Sequence, residues 1–193
     1  CYYSTNHRTT SCNFTSTGIK DKLKTLISDA VWNTGALTTN SQIVSKWYTE
    51  ERGTKNGKIC TSGNYCNDTV KRTTTWTGKV GLMYPSDYGY ATSGGSTTDR
   101  AACLNKELYN WHDDNVSDCY NNDWLLNEYS QWTILPGADS LSAIGAGIVS
   151  DFGRGYASAV FNRHVVRPVV YLTSNVKISG GDGSEANPFT LES

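Results

Sequence analysis

The side chains able to do chemistry in this chain are few and scattered. Histidine occurs three times, at His7, His112 and His164, and no serine sits in a G-x-S-x-G elbow. His112 beside Asp113 and Asp114 reads as a polar loop, because nothing in the spacing sets a nucleophile against it. Asp113, Asp114, Asp118 and Asp123 supply oxygens of the kind calcium prefers. They lack the glycine and the spacing of an EF-hand loop, so a solvated acidic loop is expected, with no metal or other cofactor. A carboxylate pair for glycoside hydrolysis leaves no spacing signal, because its members need only meet in space. The chain is therefore read as a non-enzyme. Trp76, Trp124 and Trp132 carry flat faces on which sugars stack, but tryptophans in short strands of a small domain are expected in the core.

What remains is recognition chemistry, and it concentrates in one window. Gly137 to His164 spans 28 residues without a single Lys, Glu, Gln, Trp or Met, whereas the other 165 residues hold 25 of these types. At that outside frequency an empty window of this length arises on the order of once in a hundred. Reach from the window comes from Asp139, Leu141, Asp151, Phe152, Arg154, Tyr156, Phe161, Asn162, Arg163 and His164. Tyr and Arg give large contacts and adaptable hydrogen bonds, the chemistry of antibody paratopes. Ile144, Ile148, Val149 and Val160 are expected in the core, and two-residue periodicity turns only one strand face outward at Tyr156 and Phe161.

The elements that must hold this window are short strands. Ala143–Ser150 and Tyr156–Phe161 read as strands around an Asp151-Phe152-Gly153-Arg154-Gly155 turn. Before them come Asp123–Leu126 and Gln131–Leu135. After them Val165–Leu172 is the most strand-like run, its Pro168 implying an end, an edge or a bulge. Val176–Ile178 is expected to add a last strand before the turn-rich 180–184. Upstream, Ser16 or Thr17 caps a helix whose apolar face is Ile19, Leu23, Leu26, Ile27, Ala30 and Val31. Asn40 or Ser41 caps a second, with Ile43, Val44, Trp47 and Tyr48 inward and a stop at Gly53. A polar loop follows to Thr75, then a strand over 76–83, a helix start at Pro85 capped by Ser86, a Gly/Ser/Thr loop over 93–100, a short helix over 101–111 and a loop over 113–122.

Composition sets the outer bounds. At 193 residues one domain is expected, its 1–75 part helical and its 76–191 part bearing the strand motifs. Seventeen basic against eighteen acidic side chains leave no footprint for nucleic acid or an anionic membrane. No apolar run is long enough to span a bilayer. Low charge with abundant Thr, Ser, Asn, Gly and Tyr suits an extracellular, β-rich protein, and an opening at Cys1 reads as a trimmed or mature form. Cys1, Cys12, Cys60, Cys66, Cys103 and Cys119 are even in number, so disulfides and an oxidising compartment are expected. Spacing leaves the connectivity open. Pairing near neighbours as 1–12, 60–66 and 103–119 closes three short polar loops at the smallest entropic cost. Three sequons, at Asn13, Asn67 and Asn115, matter only in a glycosylating host.

The order of five segments carries a resemblance: GKVGLMYPSDYGYAT (78–92), NDWLL (122–126), QWTILP (131–136), VVRPVVYL (165–172) and NVKISGGDGSEANPFTL (175–191). It resembles a bacterial surface-protein domain of unknown function that is similar to the formylglycine-generating-enzyme branch of the C-type-lectin fold. The resemblance covers about residues 76–191, with TEERG (49–53) looking like an element placed upstream. It implies an α+β, C-type-lectin-like domain in which two main helices pack on a twisted, loop-rich antiparallel sheet with the Arg167-Pro168 strand near its centre. The formylglycine enzymes work with cysteines near the C-terminal end of the fold, and here none follows Cys119, so that activity is not carried over. NDW at 122–124 also departs from the WND order of calcium-binding lectins.

The same branch is similar to the variable proteins of diversity-generating retroelements, in which adenine mutagenesis turns Asn codons into many others. Codons ending in a pyrimidine never encode Lys, Glu, Gln, Trp or Met, the five types missing from 137–164. The resemblance thus implies a secreted or surface-displayed adhesin or receptor, diversified at 137–164, with a protein or glycan ligand. Its alternative is a structural, pilin-like or cell-surface assembly subunit whose partners are neighbouring subunits of a filament.

Overall fold

A computed structural model describes residues 19–35, 41–53, 75–111, 118–121, 125, 128–136, 145–160, 162–184 and 186–192. Its elements are α1 (Asp21–Lys24), β1 (Ala30–Asn33), α2 (Val44–Glu51), β2 (Thr75–Gly78), β3 (Val80–Leu82), α3 (Pro85–Ala91), α4 (Arg100–Leu104), a 3-10 turn (Leu108–Asn110), α5 (Asp118–Asn121), β4 (Gln131–Pro136), β5 (Gly145–Val149), β6 (Gly155–Ala159), β7 (Pro168–Val170), β8 (Lys177–Gly180) and β9 (Thr190–Glu192). The fold is mixed α+β. Its described strands form four small sheets, β1–β2, β3–β7, β4–β5–β6 and β8–β9, in place of one larger sheet. Among the described residues no helix is long and apolar enough to cross a membrane.

The chain gathers into two compact units, 1–30 with 77–81 and 169–193, and 31–76 with 82–168. Each draws on both the 1–75 and the 76–191 portions. Of the long helix expected from Ser16 or Thr17 to Val31, the described residues form only the single turn α1, and Ala30 and Val31 lie in β1. Beyond Lys24 the chain turns to extended pairing: Ser28 N donates to Tyr171 O at 2.9 Å, Thr173 N donates to Leu26 O at 2.8 Å, and Ile27 bridges Leu172. Leu26 and Ile27 are buried by this pairing, so their helical spacing served a strand-like contact instead. β8 and β9 pair antiparallel, with Ile178 opposite Leu191.

The second unit holds the larger core. In α2 the buried side chains Val44, Trp47 and Glu51 lie on one helical face, while Tyr48, expected inside, is about half exposed. Its N-cap is Ile43, so neither Asn40 nor Ser41 caps it. In α3 Pro85 occupies the first turn, where its missing N–H costs nothing, and the Asp87 carboxylate, not Ser86, accepts from Tyr84 N at 3.0 Å. Gly89 lets α3 approach α2: a Cβ there would stand 2.7 Å from Val44 Cγ2. The expected 101–111 helix divides into α4, capped by Asp99 through Ala102 N at 2.7 Å, and the 3-10 turn. A Cys103–Cys119 disulfide ties α4 to α5. Cys1, Cys12, Cys60 and Cys66 lie outside the described residues.

Val165–Leu172 departs most from expectation. Only Pro168–Val170 is strand, proline opening it where no ladder bond is lost, and among the described strands β7 pairs with β3 alone. Val166, Tyr171 and Leu172 are exposed. Of the expected 123–126 strand only Leu125 is described.

Candidate functional site

The described part of the 137–164 window, residues 145–160 and 162–164, is built on β5 and β6, with β4 paired alongside. Along β4 the side chains of Gln131, Thr133 and Leu135 are buried and alternate with half-buried neighbours, as period-two geometry requires. β5 lies between β4 and β6, antiparallel to both, with Ile148 opposite Trp132 and Tyr156. Ile148 and Val149 are fully buried, as their aliphatic character predicts, whereas Val160, expected in the core, is about half exposed just past the end of β6. The two expected strands of the window are thus present at 145–149 and 155–159.

The 150–154 turn fixes how the window is offered to solvent. Ser150 Oγ accepts from Phe152 N at 3.2 Å and Arg154 N at 3.3 Å, and Gly153 N donates to Ser150 O at 2.9 Å. Gly153 has φ +70°, a left-handed conformation that costs glycine nothing. A Cβ on it would stand 2.4 Å from the Tyr120 ring, and its carbonyl accepts from Tyr88 Oη at 2.9 Å. The turn is therefore clamped from beneath, and Asp151 and Phe152 are pushed outward, Phe152 with 60% of its surface exposed.

The residues after β6 return alongside β4. Val165 N donates to Ser130 O at 2.9 Å and Trp132 N to Val165 O at 3.0 Å. This brings Asp151, Arg163 and His164 together with Glu128, Tyr129, Ser130 and Val165 around an open cavity of about 450 Å³. Ser130 Oγ donates to Asp151 Oδ1 at 3.0 Å and accepts from Asp151 N at 3.2 Å, fixing that carboxylate on the rim. Tyr129 is 62% exposed. His164 stands edge-on to Trp132, ring centroids 4.6 Å apart, with Nε2 hydrogen-bonded to Ser158 Oγ at 2.9 Å. Desolvation by these neighbours lowers its pKa below the ordinary histidine value, and the Asp151 charge opposes that shift. The imidazole is thus biased toward its neutral form.

The cavity offers two carboxylates, a guanidinium, an imidazole and a phenol ring, a set suited to holding a polar ligand. Ser158 does not resemble a nucleophile, because it is buried and its hydroxyl also accepts from Asn162 Nδ2 at 3.0 Å. It holds His164 in place.

Of the remaining sequence-predicted residues, Asn162 is exposed and Tyr156 is half-buried, its ring edge-on to Tyr109 at 6.3 Å. The Arg154 guanidinium lies 5.1 Å from the Tyr109 ring centroid and 4.9 Å from that of Tyr156. Asp139, Leu141 and Phe161 lie outside the described residues, as do His7, His112, Asp113, Asp114, Asp123 and Trp124. Asp118 is engaged structurally: its carboxylate accepts from Thr97 N, Thr97 Oγ1 and Thr98 N, and the Thr97 bonds pull its pKa down. Trp76, expected in the core, is about half exposed, and Trp132 is half-buried against His164. Among the described residues no group of three metal-ligating side chains converges. Glu128, Tyr129, Ser130 and Tyr109 were not legible as site residues, because they precede the window and join it only through long-range pairing.

No family model, no curated protein and no solved structure matches the chain.

Proposed function

We propose that this is a bacterial ligand-binding protein, secreted or displayed at the cell surface, that recognises a protein or glycan through residues of the 137–164 window. The observation that carries the reading is the meeting of Asp151, Arg163 and His164 with Glu128, Tyr129 and Ser130 around one open cavity beside the exposed Phe152. A rigid hairpin below and projecting polar and aromatic side chains above is the arrangement a recognition surface needs. The same division suits sequence diversification: Ser150, Gly153 and Gly155 serve the scaffold, while Asp151, Phe152, Asn162 and Arg163 face solvent and tolerate exchange. The C-type-lectin-like architecture, its calcium-free and non-enzymatic use, and the Cys1–Cys12 and Cys60–Cys66 bridges belong to this proposal through the sequence resemblance and spacing.

The test is a D151A/F152A/R163A triple variant compared with the parent on glycan and protein arrays and in thermal melts. Loss of at least tenfold in affinity for whatever the parent binds is expected, with Tm lowered by no more than a few degrees, since exposed substitutions cost little stability. Unfolding of the triple variant, or undiminished binding, rejects the reading.

A further inference from the structure

Two arginines in the second unit are cradled by pairs of tyrosines, and they differ in one respect. Arg52 lies 4.2 Å from the Tyr48 ring centroid and 4.0 Å from that of Tyr84, and its Nη donors are spent on Glu51, Ser86 and Asp87. Its charge is answered by two carboxylates. Arg154 sits between Tyr109 and Tyr156 in a similar cradle, yet among the described residues none accepts a hydrogen bond from its guanidinium and no carboxylate pairs with it. Its Nε is buried without a partner.

The cradle is built before any ligand arrives. Arg154 is held by its backbone, N to Ser150 Oγ and O from Ser150 N. Gly155 brings β6 against the 3-10 turn, since a Cβ there would stand 2.6 Å from Leu108 Cδ2, and this closeness sets Tyr109 beside Tyr156. All three side chains keep part of their surface in solvent. Aromatic faces fix the plane of a guanidinium without neutralising it, and a planar fork of N–H donors matches the two oxygens of a carboxylate.

We propose that Arg154, with Tyr109 and Tyr156, is an anion subsite that takes a carboxylate group of the ligand. This rests on the reading of 137–164 as a recognition surface, to which Arg154 and Tyr156 belong. It adds a chemical class: the ligand is acidic. The carboxylate enters at the Nη edge, completes the pairing that Glu51 and Asp87 provide for Arg52, and leaves the rings in place.

The probes are benzoate and its neutral isostere benzamide, titrated into the intact protein at constant ionic strength while the Arg154 side-chain N–H and the Tyr109 and Tyr156 ring signals are followed by NMR. Saturable shifts with benzoate, at least fivefold larger than with benzamide, are expected, and they disappear in Arg154→Met. Equal shifts with the two probes, or benzoate shifts that survive in R154M, overturn the proposal. The wild-type comparison stands even where R154M folds poorly. A second arm sets sialyllactose against lactose and N-acetyl-glutamate amide against its glutamine counterpart. Whichever acidic member binds better than its neutral partner identifies the source of the carboxylate, and no preference in either pair counts against the site. Should the acidic probes fail while the D151A/F152A/R163A variant still loses its array ligand, the anion subsite falls and the recognition surface stands.

Discussion

Glu51 is a fully buried carboxyl group beneath α3. It accepts from Ser86 N at 3.1 Å, from Ser86 Oγ and from the Arg52 guanidinium. Those partners favour the charged form, but burial outweighs them and pushes its pKa up to about 7 from an ordinary 4.5. The folded chain therefore binds this proton more tightly than the unfolded chain. Stability from Glu51 is full below about pH 4.5 and is lost as pH rises through about 7, a difference on the order of 3 kcal/mol. Urea midpoints measured at pH 5 and pH 8 should fall with rising pH in the parent, and Glu51→Gln should flatten that fall. An unchanged slope in E51Q would assign the pH dependence elsewhere. The neighbouring Arg52 pairs with Glu51 and Asp87 in the same cluster, whereas among the described residues Arg154 has no such carboxylate.

The element that decides the site is the β5–β6 hairpin, and its turn is governed by Gly153. Alanine at this position meets two penalties, a left-handed φ and a Cβ 2.4 Å from the Tyr120 ring. Gly153→Ala should cost about 2 to 4 kcal/mol in chemical denaturation. A loss below about 0.5 kcal/mol, the range of an ordinary surface change, would mean that the turn is not clamped as described. This hairpin was legible in the sequence because its information is local: small and aliphatic residues at strand spacing, interrupted by Asp151-Phe152-Gly153. The N-terminal helix was misread for the opposite reason. Ile19, Leu23, Leu26 and Ile27 have helical spacing, but Ser28 pairs with Tyr171 across 143 positions, and no local pattern announces such a contact. α2 was placed within a few residues because its inward residues Val44 and Trp47 agree with both local periodicity and the final packing.

Across the whole molecule, composition singled out a candidate window, and topology set residues from outside it beside three of its side chains. The missing residue types marked 137–164, and the structure brings Asp151, Arg163 and His164 of that window to one cavity; three of its seven lining residues, Glu128, Tyr129 and Ser130, precede the window and are delivered by the pairing of Ser130 with Val165. The proposed recognition surface thus stands on the better-packed unit, where Trp32, Trp47, Tyr88, Leu108, Trp111, Leu135 and Ile148 are each no more than 1% exposed. In the other unit the buried apolar side chains among the described residues are Leu26 and Ile27, while Ile178 and Phe189 are 61% and 51% exposed. Local opening free energy follows buried apolar contact, so the two units should not protect their backbone amides equally. In native-state hydrogen exchange, amides of the β8–β9 pair should exchange roughly a hundredfold faster than those of β5, whose strand is bonded on both sides. Equal protection of β8 and β5 would show that buried apolar contact does not set the local opening of these strands.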